Sequence, residues 1–102
     1  TMLVFNLKKE WFDKIKSGVK THEYRFFNDY WCKRLTTQWK KYMLKGTGIP
    51  CCFACGYPKK NDKDKHLYGY ITHIVKVNGK NTDLKIDKPV YDIEFELIKD
   101  GE

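Results

Sequence analysis

The stretch Gly18–Arg25 (GVKTHEYR) decides the fold, because it joins a helix stop directly to strand-forming residues. Before it, Lys9–Lys16 places apolar residues on one helical face and charged residues on the other, which predicts a short amphipathic helix. Gly18 supplies the left-handed backbone conformation that commonly ends a helix. Lys20–Phe27 is rich in Thr, Tyr and Phe and therefore predicts a strand.

Charged side chains stand where this strand enters the core. Lys20, Glu23 and Arg25 must pair, face a wet cleft or meet a ligand, because a lone buried ion is too costly. Alternation along a strand puts Thr21, Glu23 and Arg25 on one face. Arg25 can clamp a phosphate or carboxylate through two parallel hydrogen bonds, or pair with Glu23. These residues therefore predict a polar binding cleft, with a purely structural ion pair as the plainer alternative.

The rest of the chain predicts a small α+β domain. The remaining elements are a strand at 3–5, a helix at 29–45 and strands at 49–54, 67–77 and 90–98. Asn78-Gly79 predicts a tight turn after the fourth strand. We expect one domain over residues 1–102, in which about five strands curl into a small mixed barrel with two or more flanking helices. A flat α+β sandwich is the competing architecture.

The second helix is predicted to have an apolar face, because large apolar residues recur along it at helical spacing. These residues are Trp31, Leu35, Trp39 and Tyr42.

The positive charge is concentrated in one third of the chain. The formal net charge is +7, and no Asp or Glu occurs between Tyr30 and Asn61. Such asymmetry favours a polyanionic partner, most simply nucleic acid, over a solvated surface with chance clustering. The cations predicted to bind it are Lys33, Arg34, Lys40, Lys41, Lys59 and Lys60. Tyr57 follows a glycine in a predicted turn and is the candidate exposed ring for base stacking.

Four cysteines raise the question of a metal or redox site. They are Cys32, Cys51, Cys52 and Cys55. The spacing of Cys52 and Cys55 suits zinc or a redox pair, but a second ligand pair is missing from the sequence. Reduced thiols on a strand, and no cofactor, are therefore expected. No apolar run approaches the roughly 20 residues that span a bilayer, and no leader pattern is visible, so we expect a cytoplasmic protein without a membrane partner.

The residues quoted so far resemble a known family. The pattern Trp11-Phe12-x-x-Ile15-x-x-Gly18-x-Lys20-Thr21-x-Glu23-x-Arg25 resembles the signature of ASCH domains, which belong to the PUA-like superfamily. Phe53-x-x-Gly56-Tyr57 resembles a turn of some bacterial and phage members, and Tyr91-x-Ile93-x-Phe95 a terminal strand. The resemblance implies a small β-barrel that binds RNA or nucleotides in a cleft formed by Lys20, Glu23 and Arg25.

The resemblance also implies an alternative activity, because some family members are small hydrolases or nucleases. Members that hydrolyse N4-acetylcytidine carry a Thr two positions before the Arg, where this chain has Glu23, so that hydroxyl nucleophile is missing.

Three functional hypotheses follow. The first is an RNA- or nucleotide-binding module with a Lys/Glu/Arg cleft and a basic helix face. The second is a ribonuclease or a hydrolase of modified nucleosides, with Lys20 as base or Glu23 activating water. The third is a protein-interaction module of phage origin, since a basic helix face also suits acidic proteins.

Overall fold

Residues 2–99 are described by the structure, a computed structural model; Thr1 and residues 100–102 of the predicted domain lie outside the described residues. The strands are β1 (Leu3–Leu7), β2 (His22–Phe26), β3 (Ile49–Cys55), β4 (His66–Asn78) and β5 (Pro89–Leu97). The α-helices are α1 (Lys9–Lys16) and α2 (Asp29–Tyr42). The predicted order of strands and helices is confirmed.

The described strands form one mixed sheet in the order β1-β3-β4-β5-β2. β1 pairs with β3 in parallel, and every other neighbouring pair is antiparallel. The sheet curls into a half-barrel flanked by the two helices, so the expected small α+β barrel-like fold is confirmed. β1 and β2 occupy the two edges of the sheet. The barrel is open between β1 and β2, and we call this gap the seam.

The core fills the concave side of the sheet with aliphatic and aromatic side chains. Phe5 of β1 and Phe53 of β3 are fully buried, and their rings lie 5.5 Å apart. α1 contributes Ile15 and α2 contributes Leu35 to the same cluster. Burial of side chains of this size stabilises the fold by roughly 1.5–3 kcal/mol each. Both helices are therefore held against the sheet by their apolar faces.

The predicted apolar face of α2 is only partly correct. Leu35 is buried and Trp31 and Tyr42 pack against the core, but 41% of Trp39 is exposed. The reason is geometric: each four-residue step overshoots a full helical turn by about 40°, so Trp39 lies about 80° around the helix from Trp31.

The predicted tight turn at Asn78-Gly79 is wrong. Asn78 is still paired, with Pro89 of β5, and a connection of residues 79–88 joins the two strands. The Asn78 side chain accepts a hydrogen bond from the Lys80 N–H at 2.8 Å and caps a short 3₁₀ turn, Gly79–Asn81. Asn is common both in tight turns and as a cap of backbone N–H groups, so its presence here did not distinguish the two structures. The longer connection matters because it reaches the open seam of the barrel.

Within residues 2–99, neither helix is long and apolar enough to cross a membrane.

Candidate nucleotide-binding cleft

A cleft of about 270 Å³ lies in the open seam between the edge strands. Asn6–Lys8, at the end of β1, form one side, and Glu23–Phe26 of β2 form the other. The remaining lining residues are Trp11 of α1, Trp31 of α2, and Asp83 and Leu84 of the 79–88 connection. Since β1 and β2 do not pair with each other, their free edges leave room for a ligand. The fold thus places a cavity beside the residues that the sequence singled out.

Glu23 is the centre of the charged cluster in this cleft. Its carboxylate is buried, and Oε2 accepts hydrogen bonds from Arg25 Nε at 3.0 Å and Arg25 Nη2 at 2.6 Å. Oε1 lies 3.2 Å from Lys20 Nζ. The predicted pairing of Glu23 with Arg25 is confirmed. The carboxylate therefore holds the guanidinium in a fixed orientation, because a two-point contact fixes the plane of the fork.

Lys20 supports the cluster from behind rather than facing the cleft. Its ammonium donates to the His22 carbonyl and to the Asp83 carboxylate, and the third contact is Glu23. Two of its three N–H donors are thus used in hydrogen bonds, and the contact with Glu23 is an ion pair. Only 7% of the Lys20 side chain is exposed, and Lys20 lines a neighbouring hollow instead of the cleft. Its role in this geometry is to position Glu23 and Asp83.

Asp83 is a site residue that the sequence did not reveal. It lies 63 positions from Lys20, in a connection whose only visible feature was mixed charge. Its ion pair with Lys20 fixes the 79–88 connection over the seam, and Leu84 follows it into the cleft wall. No spacing rule links such distant residues, because the contact depends on how the connection crosses the barrel.

The charges of the cluster balance. Lys20 and Arg25 carry two formal positive charges, and Glu23 and Asp83 carry two negative ones. Among the residues that line the cleft, Lys8 and Arg25 likewise balance Glu23 and Asp83, so a phosphate there would meet two carboxylates as well as two cations. The cleft therefore suits a neutral polar group with both hydrogen-bond donors and acceptors better than it suits an anion.

Aromatic side chains supply the walls. Trp11, Tyr24 and Trp31 all line the cleft, and the Arg25 guanidinium carbon lies 5.0 Å from the centroid of the Trp31 ring. Burial raises the pKa of the Tyr24 hydroxyl, and the carboxylates of Asp92 and Asp83 add to the rise. Tyr24 is therefore a neutral phenol at physiological pH. The aromatic rings offer flat apolar surfaces, and the charge-balanced cluster beside them offers polar groups. A planar ring with a polar edge therefore matches this cleft.

Trp31 belongs to the predicted apolar face of α2, and strand alternation places Tyr24 on the face of β2 opposite Glu23. Trp31 does pack against the core, yet it also lines the cleft. Tyr24 and Glu23 both line the cleft, at the edge strand β2. The sequence positions of the two tryptophans could have predicted that they line the cleft. Trp11 and Trp31 lie in the first turns of the helices that follow the edge strands β1 and β2.

Several predicted site residues lie elsewhere. Thr21 is exposed, and its carbonyl accepts a hydrogen bond from the Phe95 N–H at 3.2 Å. Tyr57 is 91% exposed, as predicted, in the turn that follows β3. Lys59 and Lys60 are exposed in the loop after it. None of these four residues lines the cleft.

The basic residues of α2 divide into two pairs. Lys33 and Arg34 line a second cavity, of about 570 Å³, between α2 and β1. Lys40 and Lys41 are exposed near the end of the helix and line neither this cavity nor the cleft. The predicted basic residues of the helix are therefore exposed, but of these four only Lys33 and Arg34 line the second cavity.

The cysteines are free thiols. Cys51 and Cys52 are buried in β3, whereas Cys32 is exposed. Cys52 and Cys55 are three positions apart on a strand, so their side chains point to opposite faces. Burial raises the pKa of Cys51 to about 12. Among residues 2–99, no group of three or more His, Cys, Asp and Glu side chains is arranged to hold a metal ion.

Comparison with known proteins adds no assignment: no family model, no curated protein and no solved structure matches this chain.

Proposed function

We propose that this chain is an RNA- or nucleotide-binding module of the ASCH type, and that the cleft between β1 and β2 receives a base. The observation that carries the proposal is the pairing of a charge-balanced floor with aromatic walls in one open cavity. A nucleobase offers the matching chemistry, because it combines flat apolar faces with an edge of donors and acceptors.

The size of the cleft agrees with a single base or nucleoside. Its volume of about 270 Å³ lies just below the range of about 300–1,000 Å³ that is usual for small-molecule sites. Arg25 retains donor capacity beyond its bonds to Glu23 and Asn6, since a guanidinium carries five N–H groups. It can therefore donate to a base acceptor without leaving its partners. The ASCH-type assignment itself rests on the residue pattern of positions 11–25.

The binding role is favoured over the hydrolase or ribonuclease alternative. In that alternative Lys20 acts as a base or Glu23 activates water. Lys20 is instead occupied by three oxygen partners, and Glu23 is buried with both oxygens engaged. Either group would have to give up a partner before it could react.

The experiment is a binding titration of fluorescein-labelled single-stranded RNA followed by anisotropy, with two matched tryptophan variants. Trp31→Leu removes a cleft wall, whereas Trp39→Leu makes the same change on the same helix outside the cleft. We expect Trp31→Leu to weaken binding about tenfold, the size of one lost stacking contact, and Trp39→Leu to change it less than twofold. Circular dichroism checks that both variants fold.

Three other outcomes would contradict the proposal. Equal affinities for Trp31→Leu and Trp39→Leu would remove the cleft from the binding site. Cleavage or modification of the RNA, detected by mass spectrometry, would support the enzyme instead. A parent protein that binds no RNA or nucleotide but copurifies with a stable acidic protein would favour the interaction module.

A further inference from the structure

A second cavity lies beside the cleft, along the free edge of β1. We call it the β1–α2 groove; its lining residues include Met2–Val4 and Asn6 on one side and Tyr30, Lys33 and Arg34 on the other. Its volume is about 570 Å³, roughly twice that of the cleft. Asn6 lines both cavities, so the two meet at this residue. The cleft and the groove are therefore neighbours along β1.

The groove differs from the cleft in its charge. Among residues 2–99, no ion pair involves Lys33 or Arg34, whereas both cations of the cleft cluster are paired with carboxylates. Asp29 is the one acidic residue of α2, and it forms no ion pair with Lys33 in this part of the chain. The groove thus has two cations that form no ion pair within residues 2–99, beside a cleft whose lining charges balance.

Arg34 is held in a defined orientation. Its Nη1 donates to the Tyr30 carbonyl at 3.2 Å, and its guanidinium carbon lies 3.4 Å from the centroid of the Tyr30 ring. These contacts use one N–H and one face of the guanidinium and leave its other donors available. A pre-oriented, unpaired guanidinium is well suited to bind a phosphate through two parallel bonds. Lys33 adds a mobile point charge at the same wall.

We propose that the ligand is a single-stranded nucleic acid of two or more nucleotides, with one base in the cleft and a neighbouring phosphate against Lys33 and Arg34. This inference rests on the proposed function and names its substrate class. A strand matches the two neighbouring cavities because its bases are uncharged and its backbone carries the negative charge. An isolated nucleoside has no group that reaches the basic part of the groove.

The test compares two charge reversals on the same helix. Lys33→Glu with Arg34→Glu alters the groove, and Lys40→Glu with Lys41→Glu makes the same change in net charge outside it. Affinity is measured by anisotropy for a labelled single-stranded RNA of ten nucleotides, for the corresponding DNA and, by competition, for a mononucleotide. RNA and DNA share the phosphate backbone, so the comparison of the two strands shows which of them the protein prefers.

We expect the groove variant to bind the ten-nucleotide strand about 30-fold more weakly, the equivalent of one charge-assisted hydrogen bond. The control variant should lose only about threefold, through long-range attraction that salt screens. In the parent, log affinity should fall with log salt concentration. The slope should become shallower by about 0.7 in the groove variant, the change expected when one phosphate contact on a single strand is lost.

Each other result overturns a distinct claim. If the parent binds the strand and both variants weaken it equally, the groove assignment fails while the cleft remains. If the parent binds the mononucleotide as tightly as the strand, the ligand does not extend into the groove. If the parent binds no nucleic acid or nucleotide at all, the proposed function fails together with this inference.

Discussion

Arg25 Nη2 donates a hydrogen bond of 3.1 Å to the backbone carbonyl of Asn6, and so joins the two edge strands that leave the barrel open. The same guanidinium is bound by Glu23 on its own strand. One side chain therefore bridges the seam and forms part of the floor of the cleft. Binding and stability are expected to depend together on this residue.

Replacing Arg25 by Lys tests the bridge while keeping the charge. A lysine ammonium cannot bond Glu23 and Asn6 with the same planar fork, so Arg25→Lys should lower the free energy of unfolding by about 1–3 kcal/mol. Arg34→Lys, which loses only exposed contacts with Tyr30, should lower it less, by about 0.5–1 kcal/mol. Urea denaturation measures both. Equal effects of the two substitutions would show that the bridge adds nothing to stability.

Removing the carboxylate of Glu23 should have the larger effect. Glu23→Ala leaves the Arg25 guanidinium without its carboxylate and Lys20 with Asp83 as its one remaining carboxylate partner, and breaking a buried ion pair costs about 3–5 kcal/mol. Glu96→Ala, on an exposed position of β5, serves as the control. Thermal and urea unfolding would reveal the difference. If Glu23→Ala proves too unstable to purify, the milder Glu23→Gln must still unfold at a lower urea concentration than Glu96→Gln.

Asp83→Asn should loosen the 79–88 connection without unfolding the domain. The substitution removes the ion pair between Asp83 and Lys20. Because the Asp83 side chain is partly exposed, this ion pair contributes about 1 kcal/mol to stability. Amide hydrogen exchange in residues 80–88 should become about fivefold faster, while exchange in β3 stays unchanged. Asp64→Asn, in an exposed turn, is the control. Unaltered exchange in 80–88 would mean that Asp83 does not fasten this segment.

Alkaline pH should destabilise the fold through Cys51. Burial raises the pKa of this thiol from 9.0 to about 12, so the folded state holds the proton more tightly than the unfolded state. This contribution to stability is fully present below pH 9 and is lost as the pH rises towards about 12, by up to about 1.4 kcal/mol per pH unit. Urea unfolding at pH 8 and at pH 10.5 measures the loss.

Cys51→Val should reduce this alkaline loss, and Cys32→Ser at an exposed position should leave it unchanged. Other buried groups with a raised pKa, among them Cys52, preserve part of the effect in both variants. An identical pH dependence in Cys51→Val and the parent would contradict the assigned cause.

Local patterns in the sequence were enough for the elements and for the Glu23–Arg25 pair. Alternation fixes which strand residues share a face, and Gly18, with φ at 84°, ends α1 as its position predicted. The pairing of two residues that are two positions apart on a strand is likewise a local property.

The parts that escaped prediction depend on distant segments. Asp83 reaches Lys20 only because the connection after β4 crosses the seam, and Asn78 caps a 3₁₀ turn where a hairpin turn was expected. Trp31 packs and lines the cleft at once, since the edges of the sheet meet beside the first turn of α2. The balance of positive and negative charges in the cleft depends on these long-range contacts. The spacing of residues along the sequence therefore could not predict it.

The most direct measurement uses the three tryptophans of the chain as internal reporters. In an NMR titration of ¹⁵N-labelled protein with a short single-stranded RNA, the indole N–H signals of Trp11 and Trp31 should shift saturably, because both rings line the cleft. The signal of Trp39, which lies outside it, should stay in place. Shifts confined to Trp39, or none in Trp11 and Trp31 while RNA binds, would contradict the placement of the base in the seam between β1 and β2.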